Sequence, residues 1–359
     1  MDTQYTPGDF TGQVVNVGLD VGNRTWKVAI FLGTEIHKQF AQEPSPGQLI
    51  HYLRKNFPGA HYRIVYEAGY TGFWIHDAFV ALGADCMLVN PADVPTSDKE
   101  RRHKNDRIDA GKLGRGLAMD TVRPIFIPNR LQTEDRQLVR TRMRFVQKQT
   151  RTKCQIKALL AFYGYQQPED LPQHHWSRRY IQWVESIAMS RPSGEIALKA
   201  LLSELEFFRQ MILDLTRRIR ALAQEELYRS QVLYLQSIGG ISLMTAMTLL
   251  TELVSIERFK SPDKLASYVG IVPGEYSSGE REHTTGLVAR GNKMLRYMLI
   301  ECAWIAQRQD PVLLQAFTML TKRMSKTDAI IRIARKLLNR IWFVMKHEQP
   351  YITRVPELA

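Results

Sequence analysis

The hydrophobic positions in the first ninety residues follow a strand period and then a helix period. Three runs with the alternating, β-branched and aromatic composition of strands come first: VVNVGLD, WKVAIFLG and EIHKQFA. The turn signal GN at 22–23 separates the first two runs, so we expect an antiparallel meander. The run SPGQLIHYLRKNF predicts a helix, because Ser45 can cap it and Pro46 occupies its first turn. YRIVYEAG and DCMLVNP predict two further strands, with an amphipathic helix, TGFWIHDAFVALG, between them.

Helical periodicity dominates the rest of the chain. A basic helix is expected from about Thr133 to Phe162, followed by an irregular linker over 163–195, which is rich in Pro, Gln and His. Seven apolar residues then repeat at alternating spacings of four and three: Leu201, Leu205, Phe208, Ile212, Leu215, Ile219 and Leu222. This seam favours a helical hairpin or an oligomer contact, and the alternative is a helix packed inside its own domain. From about Val232 to Lys346 the pattern is helical, with a Gly-rich loop in its middle.

These elements set the expected fold class and domain organisation. Three antiparallel strands followed by helix, strand, helix and strand are the element order of a ribonuclease-H-like α/β domain, which we place at residues 1–132. A helical linker with the coiled-coil-like heptad segment is expected at 133–230. A mainly α-helical domain is expected at 231–359.

The charge balance narrows the class of partner. The chain has 359 residues, with 49 Lys and Arg against 36 Asp and Glu, so its formal net charge is +13. Such a surplus favours a polyanion, with nucleic acid first and an anionic membrane surface second. A basic protein without a polyanionic partner is the alternative.

The cysteines and the apolar stretches bear on localisation. Three cysteines far apart match no metal-ligand spacing, which suits a reducing compartment. The N-terminus has no signal-peptide pattern, and the most apolar stretch, Tyr297 to Ala306, is short and contains Glu301. We therefore expect no membrane partner and a soluble, intracellular protein.

Four acidic residues are the candidate chemistry. Asp20 ends the first predicted strand and Glu67 the fourth, while Asp106 and Asp109 open a helix three residues apart and so share a face. Brought together, four carboxylates would repel one another unless cations held them. Mg²⁺ prefers such oxygen ligands, with Mn²⁺ as the alternative, and two such ions can support phosphodiester chemistry. Taken singly, each acid could be a surface residue or a helix cap.

Several motifs resemble one family in particular. GLDVGNRTW, YEAGYTG and NDRIDA are similar to the three acidic motifs of the DEDD-type transposases, whose N-terminal domain is RuvC-like. SIGGISLMTAMTLLTEL, RFKSPDKLASYVGIVPGEYSSG and GLVARGNKMLRYML resemble the second domain of the same family. These are the insertion-sequence recombinases that use a bridge RNA to choose DNA, and the resemblance covers roughly residues 14 to 345. In some helix-turn-helix segments the turn amides bind a phosphate. The turn here reads IGGIS, where the family commonly has a Pro-Gly-Ile-Gly-like turn, so the resemblance does not imply a phosphate contact by Gly239 or Ser242.

The resemblance implies roles for particular residues. Asp20, Glu67, Asp106 and Asp109 match the acidic tetrad, as catalytic residues and as metal ligands. Ser278 matches the serine nucleophile of the family, and the adjacent Ser277 is the alternative candidate. Implied partners are target and donor DNA, a non-coding bridge RNA and further copies of the chain in a homodimer or homotetramer. The resemblance also implies that the serine and the carboxylates of one site come from different subunits, and that the protein is cytoplasmic and nucleoid-associated in a prokaryotic cell.

Basic residues near these motifs are candidates for nucleic-acid contacts, because they could neutralise backbone phosphates. They are Lys104, Arg107, Arg140, Arg144, Arg281, Arg290, Lys293 and Arg296. For the long basic helix, an ordinary solvated face is an equal alternative.

The resulting hypothesis is a DNA transposase that cuts and rejoins DNA through a phosphoserine intermediate. The first alternative is a metal-dependent nuclease or junction resolvase that uses water as nucleophile, which needs the acids but not the serine. The second is a nucleic-acid-binding protein with a degenerate nuclease fold, which would bind DNA and RNA without cleaving them.

Overall fold

The computed structural model describes residues 9–94, 106–171, 176–278 and 281–352, and of residues 106–108, 275–278 and 281–285 it describes the backbone alone. The chain forms two compact units, Met1–Ile127 and Pro128–Ala359. The boundary falls between an α/β unit and a unit dominated by helices.

The first unit is built on a mixed sheet. In its described part, five strands run in the order β3-β2-β1-β4-β5, and three helices accompany them. The strands are β1 (Val14–Val21), β2 (Trp26–Leu32), β3 (Glu35–Gln42), β4 (His61–Glu67) and β5 (Asp85–Val89). The helices are α1 (Pro46–Asn56), α2 (Trp74–Ala81) and α3 (Asp106–Ala118). β1, β2 and β3 pair antiparallel, whereas β4 pairs parallel with both β1 and β5.

The expected order of elements in this unit is confirmed. Ser45 caps α1 by accepting a hydrogen bond from the Gln48 amide, and proline opens that helix as its fixed φ favours. The meander, the two crossover helices and the two parallel strands all lie where period and turn residues placed them.

Helices cover the sheet on both faces. Odd-numbered positions of β1, such as Val17, pack with α1 and α2 in one buried cluster that also contains Trp26 and Phe79. On the other face, Val65 packs with Leu113 of α3. Because strand residues alternate between faces, the even-numbered positions of β1 lie on the face that α3 covers.

The second unit is mainly α-helical. Its helices are α4 (Arg130–Phe162), α5 (Arg178–Glu185), α6 (Pro192–Leu222), α7 (Glu226–Gln236), α8 (Leu243–Leu253), α9 (Pro262–Val269), α10 (Lys293–Gln309), α11 (Pro311–Thr321) and α12 (Lys326–His347). Between α9 and α10 lie β6 (Pro273–Ser278) and β7 (Arg281–Leu287). None of the helices within the described residues is both long enough and apolar enough to cross a membrane.

The heptad segment is part of an intramolecular helix pair. α6 packs along α4, and Thr152 donates a hydrogen bond to Glu204 while Arg142 donates one to Thr216, so the two helices run antiparallel. Leu205 of the seam is buried in this interface. The helical hairpin is thus present, and an oligomer contact through α6 stays a prediction.

Two regions differ from the expectation. The Gly-rich loop of the second unit is an antiparallel hairpin of β6 and β7, not an irregular loop. Its strands carry Glu, Ser, Thr and His with little apolar alternation, so the sequence pattern did not predict strands here. The expected linker over 163–195 contains α5 and the beginning of α6. Tyr180 and Val184 of α5 are buried against α4 and α6, and that burial stabilises a helix too short to be stable alone.

The Gly-Gly turn between α7 and α8 is a tight helix connection. Gly240 has φ +89°, in the left-handed region that favours glycine. Ser242 caps α8 by accepting a hydrogen bond of 3.1 Å from the Thr245 amide. The side chain of Ser242 is therefore used by its own helix.

Candidate active site

Asp20 and Glu67 lie side by side at one edge of the sheet. In the parallel pair of β1 and β4, Leu19 is in register with Tyr66, so each carboxylate residue is the next one along its strand. Residues in register on neighbouring strands point to the same face. The two acids therefore project together from the carboxyl ends of these strands.

The face on which they project is the one that α3 covers. Gly18 lies two residues before Asp20, and a Cβ atom built on Gly18 would be 2.1 Å from the Ala110 carbonyl oxygen. Only a glycine allows this approach, because any larger residue would push α3 away from the sheet. Gly18 is in register with Val65, which packs on α3, and Glu67 follows two residues later on the same face.

Asp109 lies on α3, the helix that packs on this face of the sheet. It immediately precedes Ala110, the residue in contact with Gly18, and Asp106 lies one helical turn earlier at the start of α3. The Asp109 carboxylate is 3.9 Å from the ammonium nitrogen of Lys112. The side chain of Asp106 lies outside the described residues.

The donor chemistry of this edge suits a hard divalent cation. Asp20, Glu67 and Asp109 offer carboxylate oxygens, which are the ligands that Mg²⁺ prefers. Within the described residues, no three His, Cys, Asp or Glu side chains are close enough to form a metal-binding group as they stand. The four-carboxylate metal site accordingly stays a prediction.

Lys27 also lies at this edge, and no motif or spacing in the sequence points to it. It is paired with Asp20 in the antiparallel register of β1 and β2, so both side chains lie on the same face. The four-residue connection after β1 sets that register. If the length of the turn around GN were known, counting residues outward from it on both strands would place Lys27 opposite Asp20.

Ser278 lies at the tip of the β6–β7 hairpin. It is the last residue of β6 and pairs with Arg281, and Ser277 pairs with Glu282. The side chains of Ser277, Ser278 and Arg281 lie outside the described residues. The hairpin nevertheless defines where the backbone of the candidate nucleophile is.

The segment after the hairpin is held firmly. Arg296 of α10 donates hydrogen bonds of 2.8 Å and 2.9 Å to the carbonyls of Val288 and Arg290. The Asn292 side chain caps α10 by accepting a hydrogen bond from the Leu295 backbone amide. The backbone amide of Asn292 donates a hydrogen bond to the Tyr268 carbonyl. These contacts tie the segment 288–292 to α9 and α10.

A buried ion pair adjoins this segment. Glu252 of α8 is 1% exposed and accepts both donors of a bidentate contact from Arg140, at 2.6 Å and 2.8 Å. Asn292 donates a third hydrogen bond, of 3.1 Å, to the same carboxylate. Hydrogen bonding to Glu252 raises the pKa of Arg140 further above its usual range, although burial opposes this. Glu252 thus connects α4, α8 and the start of α10.

The candidate phosphate-binding residues fall into three groups. Arg144, Arg290 and Lys293 are exposed. Arg140 and Arg296 are used inside the second unit, by Glu252 and by backbone carbonyls respectively. Lys104 and the side chains of Arg107 and Arg281 lie outside the described residues.

Two regions of the chain match models of known protein families. A model described as a transposase of the IS116/IS110/IS902 family matches residues 233–318, and a DEDD transposase model of IS110 matches residues 17–164. The chain belongs to the IS110 family of transposases. One match contains the serine hairpin and the other contains all four acidic residues. Transposases act on DNA, so this IS110-family chain is a transposase or DNA recombinase.

Individual relatives agree with this assignment. A protein of Sinorhizobium fredii, y4qE, provisionally named a transposase, is 27% identical over 80% of this chain and 76% of its own length. The transposase for insertion sequence element IS1111A of Coxiella burnetii is 26% identical over 80% and 79% of the two chains. A pilin gene-inverting protein of Moraxella lacunata is 32% identical over 36% of this IS110-family chain and 41% of its own.

Proposed function

We propose that this transposase cuts and rejoins DNA through a phosphoserine bond formed by Ser278. In this proposal the first unit is a ribonuclease-H-like, RuvC-like domain. Its carboxylates Asp20, Glu67, Asp106 and Asp109 hold Mg²⁺, which would stabilise the negative charge that develops on a phosphate during strand transfer.

The placement of Asp20 and Glu67 carries the proposal. They are adjacent in register at the ends of parallel strands, on the face covered by the helix that begins with Asp106. Gly18 lets that helix approach β1, which brings Asp109 to the same face. Carboxylates that approach one another at this edge would repel, and a bound cation would offset that repulsion.

The proposed chemistry is two transesterifications. The Ser278 hydroxyl oxygen attacks a DNA phosphorus, a phosphorus–oxygen bond to a sugar breaks, and the hydroxyl proton balances the charge on the released sugar oxygen. A sugar hydroxyl of the exchanged strand then attacks the phosphoserine, which reseals DNA and restores the serine. Each step exchanges one phosphoester for another, so no nucleotide hydrolysis is needed.

Guidance and assembly complete the proposal. The net charge of +13 suits two polyanions, and base pairing of a bridge RNA would select target and donor DNA while the protein binds backbone and shape. The family resemblance supports a dimer or tetramer in which one subunit supplies the serine and another the carboxylates. A relative named for inverting a pilin gene supports a reaction that both cuts and rejoins DNA.

The test uses full-length protein, Mg²⁺, labelled DNA carrying the element's junction, and RNA transcribed from its non-coding end. We expect a covalent protein–DNA band on a denaturing gel that requires RNA and is absent in Ser278→Ala. Ser277→Ala is the matched control, because it removes the neighbouring hydroxyl and should retain the band.

Other outcomes would contradict parts of the proposal. A band that persists in Ser278→Ala and disappears in Ser277→Ala would move the nucleophile by one residue. Cleavage without a band would indicate a nuclease that uses water. If Asp20→Asn recombined DNA at the wild-type rate in Mg²⁺, the proposed metal site would be excluded. If the protein bound DNA and RNA but cleaved neither in Mg²⁺ or Mn²⁺, it would be a nucleic-acid-binding protein without this activity.

A further inference from the structure

Two large aromatic side chains are exposed in the segment that follows Glu67. Tyr70 lies three residues after Glu67 and its accessibility is 69%, while Trp74, the first residue of α2, is 51% exposed. Exposed rings of this size leave much apolar surface in water, which is unfavourable unless a partner covers it.

Both rings are anchored at one end of the β1–β2 pair. The Tyr70 hydroxyl lies 3.4 Å from the Val21 carbonyl oxygen, at the end of β1. Trp74 packs on Trp26, with ring centroids 6.4 Å apart and planes inclined by 40°. Val21 and Trp26 are paired in the register of β1 and β2. The two exposed rings therefore converge on a single cross-strand pair.

That pair is next to the acidic edge. Asp20 directly precedes Val21, and Glu67 ends the strand from which the Tyr70 segment departs. The sheet places the carboxylates on the α3 face, while Trp74 lies on the α2 side and Tyr70 reaches over the end of β1. A nucleic-acid strand whose phosphate lay at these acids would run past the end of β1, the strand end to which both rings are anchored.

We propose that Tyr70 and Trp74 stack on an unpaired nucleobase next to the phosphodiester held at Asp20 and Glu67. This inference rests on the proposed function, because it takes DNA phosphate as the ligand of the acidic edge. Aromatic rings stack on any base, and a base inside a duplex has both faces covered by its neighbours. The rings thus select a strand that is locally single-stranded beside the point of cleavage.

The stacking is tested by binding, without relying on cleavage. Full-length Ser278→Ala protein is titrated with junction oligonucleotides in which 2-aminopurine replaces one base at a time, in a single-stranded and a fully duplex form. We expect strong quenching at one or two neighbouring positions of the single-stranded form. Tyr70→Ala and Trp74→Ala should each weaken its binding by about 5- to 150-fold.

Conservative and control variants separate stacking from structural damage. Tyr70→Phe and Trp74→Phe keep a ring, so affinity should stay within about threefold of the parent protein. Tyr163→Ala removes a ring that is 55% exposed in the other unit and should leave the quenched positions unchanged. Thermal unfolding of every variant checks that Trp74 does not act merely by supporting Trp26.

The outcomes distinguish this inference from the proposed function. Tyr70→Ala binding as tightly as its parent, or Phe variants losing as much as Ala variants, would overturn the stacking. Equal losses on duplex DNA would also overturn it. If wild-type protein forms the phosphoserine band while Tyr70→Ala binds normally, only the stacking is wrong. If quenching is seen without any covalent band, the nucleophile is wrong and the stacking stands.

Discussion

Gly18 of β1 and Ala110 of α3 are in such close contact that a Cβ atom on Gly18 would lie 2.1 Å from the Ala110 carbonyl oxygen. Gly114 of the same helix is equally close, with its amide nitrogen 2.3 Å from that Cβ position. The backbone of α3 therefore lies directly on β1. This contact fixes the distance between Asp109 and the strand that carries Asp20.

Replacing Gly18 tests that contact. We expect Gly18→Ala to lower the free energy of unfolding by about 1–3 kcal/mol, because α3 must shift to admit the methyl group. The shift should also reduce DNA cleavage, since it moves Asp109. Urea unfolding and the cleavage assay measure the two effects. Gly47→Ala is the matched control, because its Cβ would meet only the Ser45 hydroxyl at 3.9 Å. Normal cleavage by a folded Gly18→Ala protein would show that the contact does not position Asp109.

The Arg140–Glu252 pair predicts a large stability effect in the second unit. Arg140→Gln leaves the buried Glu252 carboxylate without its charge complement, which costs about 3–5 kcal/mol. Glu252→Gln should cost less, because the Arg140 side chain is 35% exposed and water can solvate its charge. Chemical denaturation measures this loss. Arg217→Gln removes an exposed pair with Asp214 and should change stability by less than about 1 kcal/mol. Equal effects of the two kinds of variant would show that Glu252 is hydrated in solution.

Salt dependence separates phosphate-binding arginines from structural ones. Each lost phosphate contact should reduce the slope of log affinity against log salt by about 0.9 on duplex DNA. We expect this for Arg144→Gln or Lys293→Gln, whose side chains are exposed. Arg296→Gln should leave the slope unchanged and reduce cleavage instead, because Arg296 holds the carbonyls that follow the serine hairpin. A reduced slope for Arg296→Gln would assign it to phosphate after all.

Thiol labelling checks the burial of the three cysteines. Cys154 is exposed, while Cys86 is partly buried and Cys302 is buried. Burial raises the pKa of Cys86 to about 12 and also raises the pKa of Cys302, so at pH 8 both are protonated and slow to react. Ellman's reagent should label one thiol per folded chain and three after unfolding. Cys154→Ser should remove the fast reaction, and rapid labelling of that variant would contradict the buried positions.

The first unit shows how far a local pattern can lead. Most strands of its sheet are short runs rich in β-branched and aromatic residues and are separated by turn signals, so their order followed from composition and turn residues. Asp20 and Glu67 are candidate site residues because each stands where its predicted strand ends, and their site role stays a prediction. The register between the strands did not follow from the pattern. The position of Lys27 could therefore not be predicted, because Lys27 is opposite Asp20 only when the connection after β1 has four residues.

The second unit shows where the pattern ends. The hairpin bearing Ser278 has hardly any apolar alternation, because its strands form a two-stranded sheet, and its composition matched a loop equally well. The same holds for the charges, since a list of Lys and Arg does not say which are already engaged.

Motif spacing and hydrophobic period are local properties, so the amino-acid sequence alone indicated the family, the order of elements in the α/β unit and the candidate acids and serine. Three features came only from the three-dimensional packing: α3 lies directly on Gly18, Arg140 pairs with Glu252, and Tyr70 and Trp74 contact the paired residues Val21 and Trp26 at one strand end. These are contacts between residues distant in sequence, and packing, not composition, selects them.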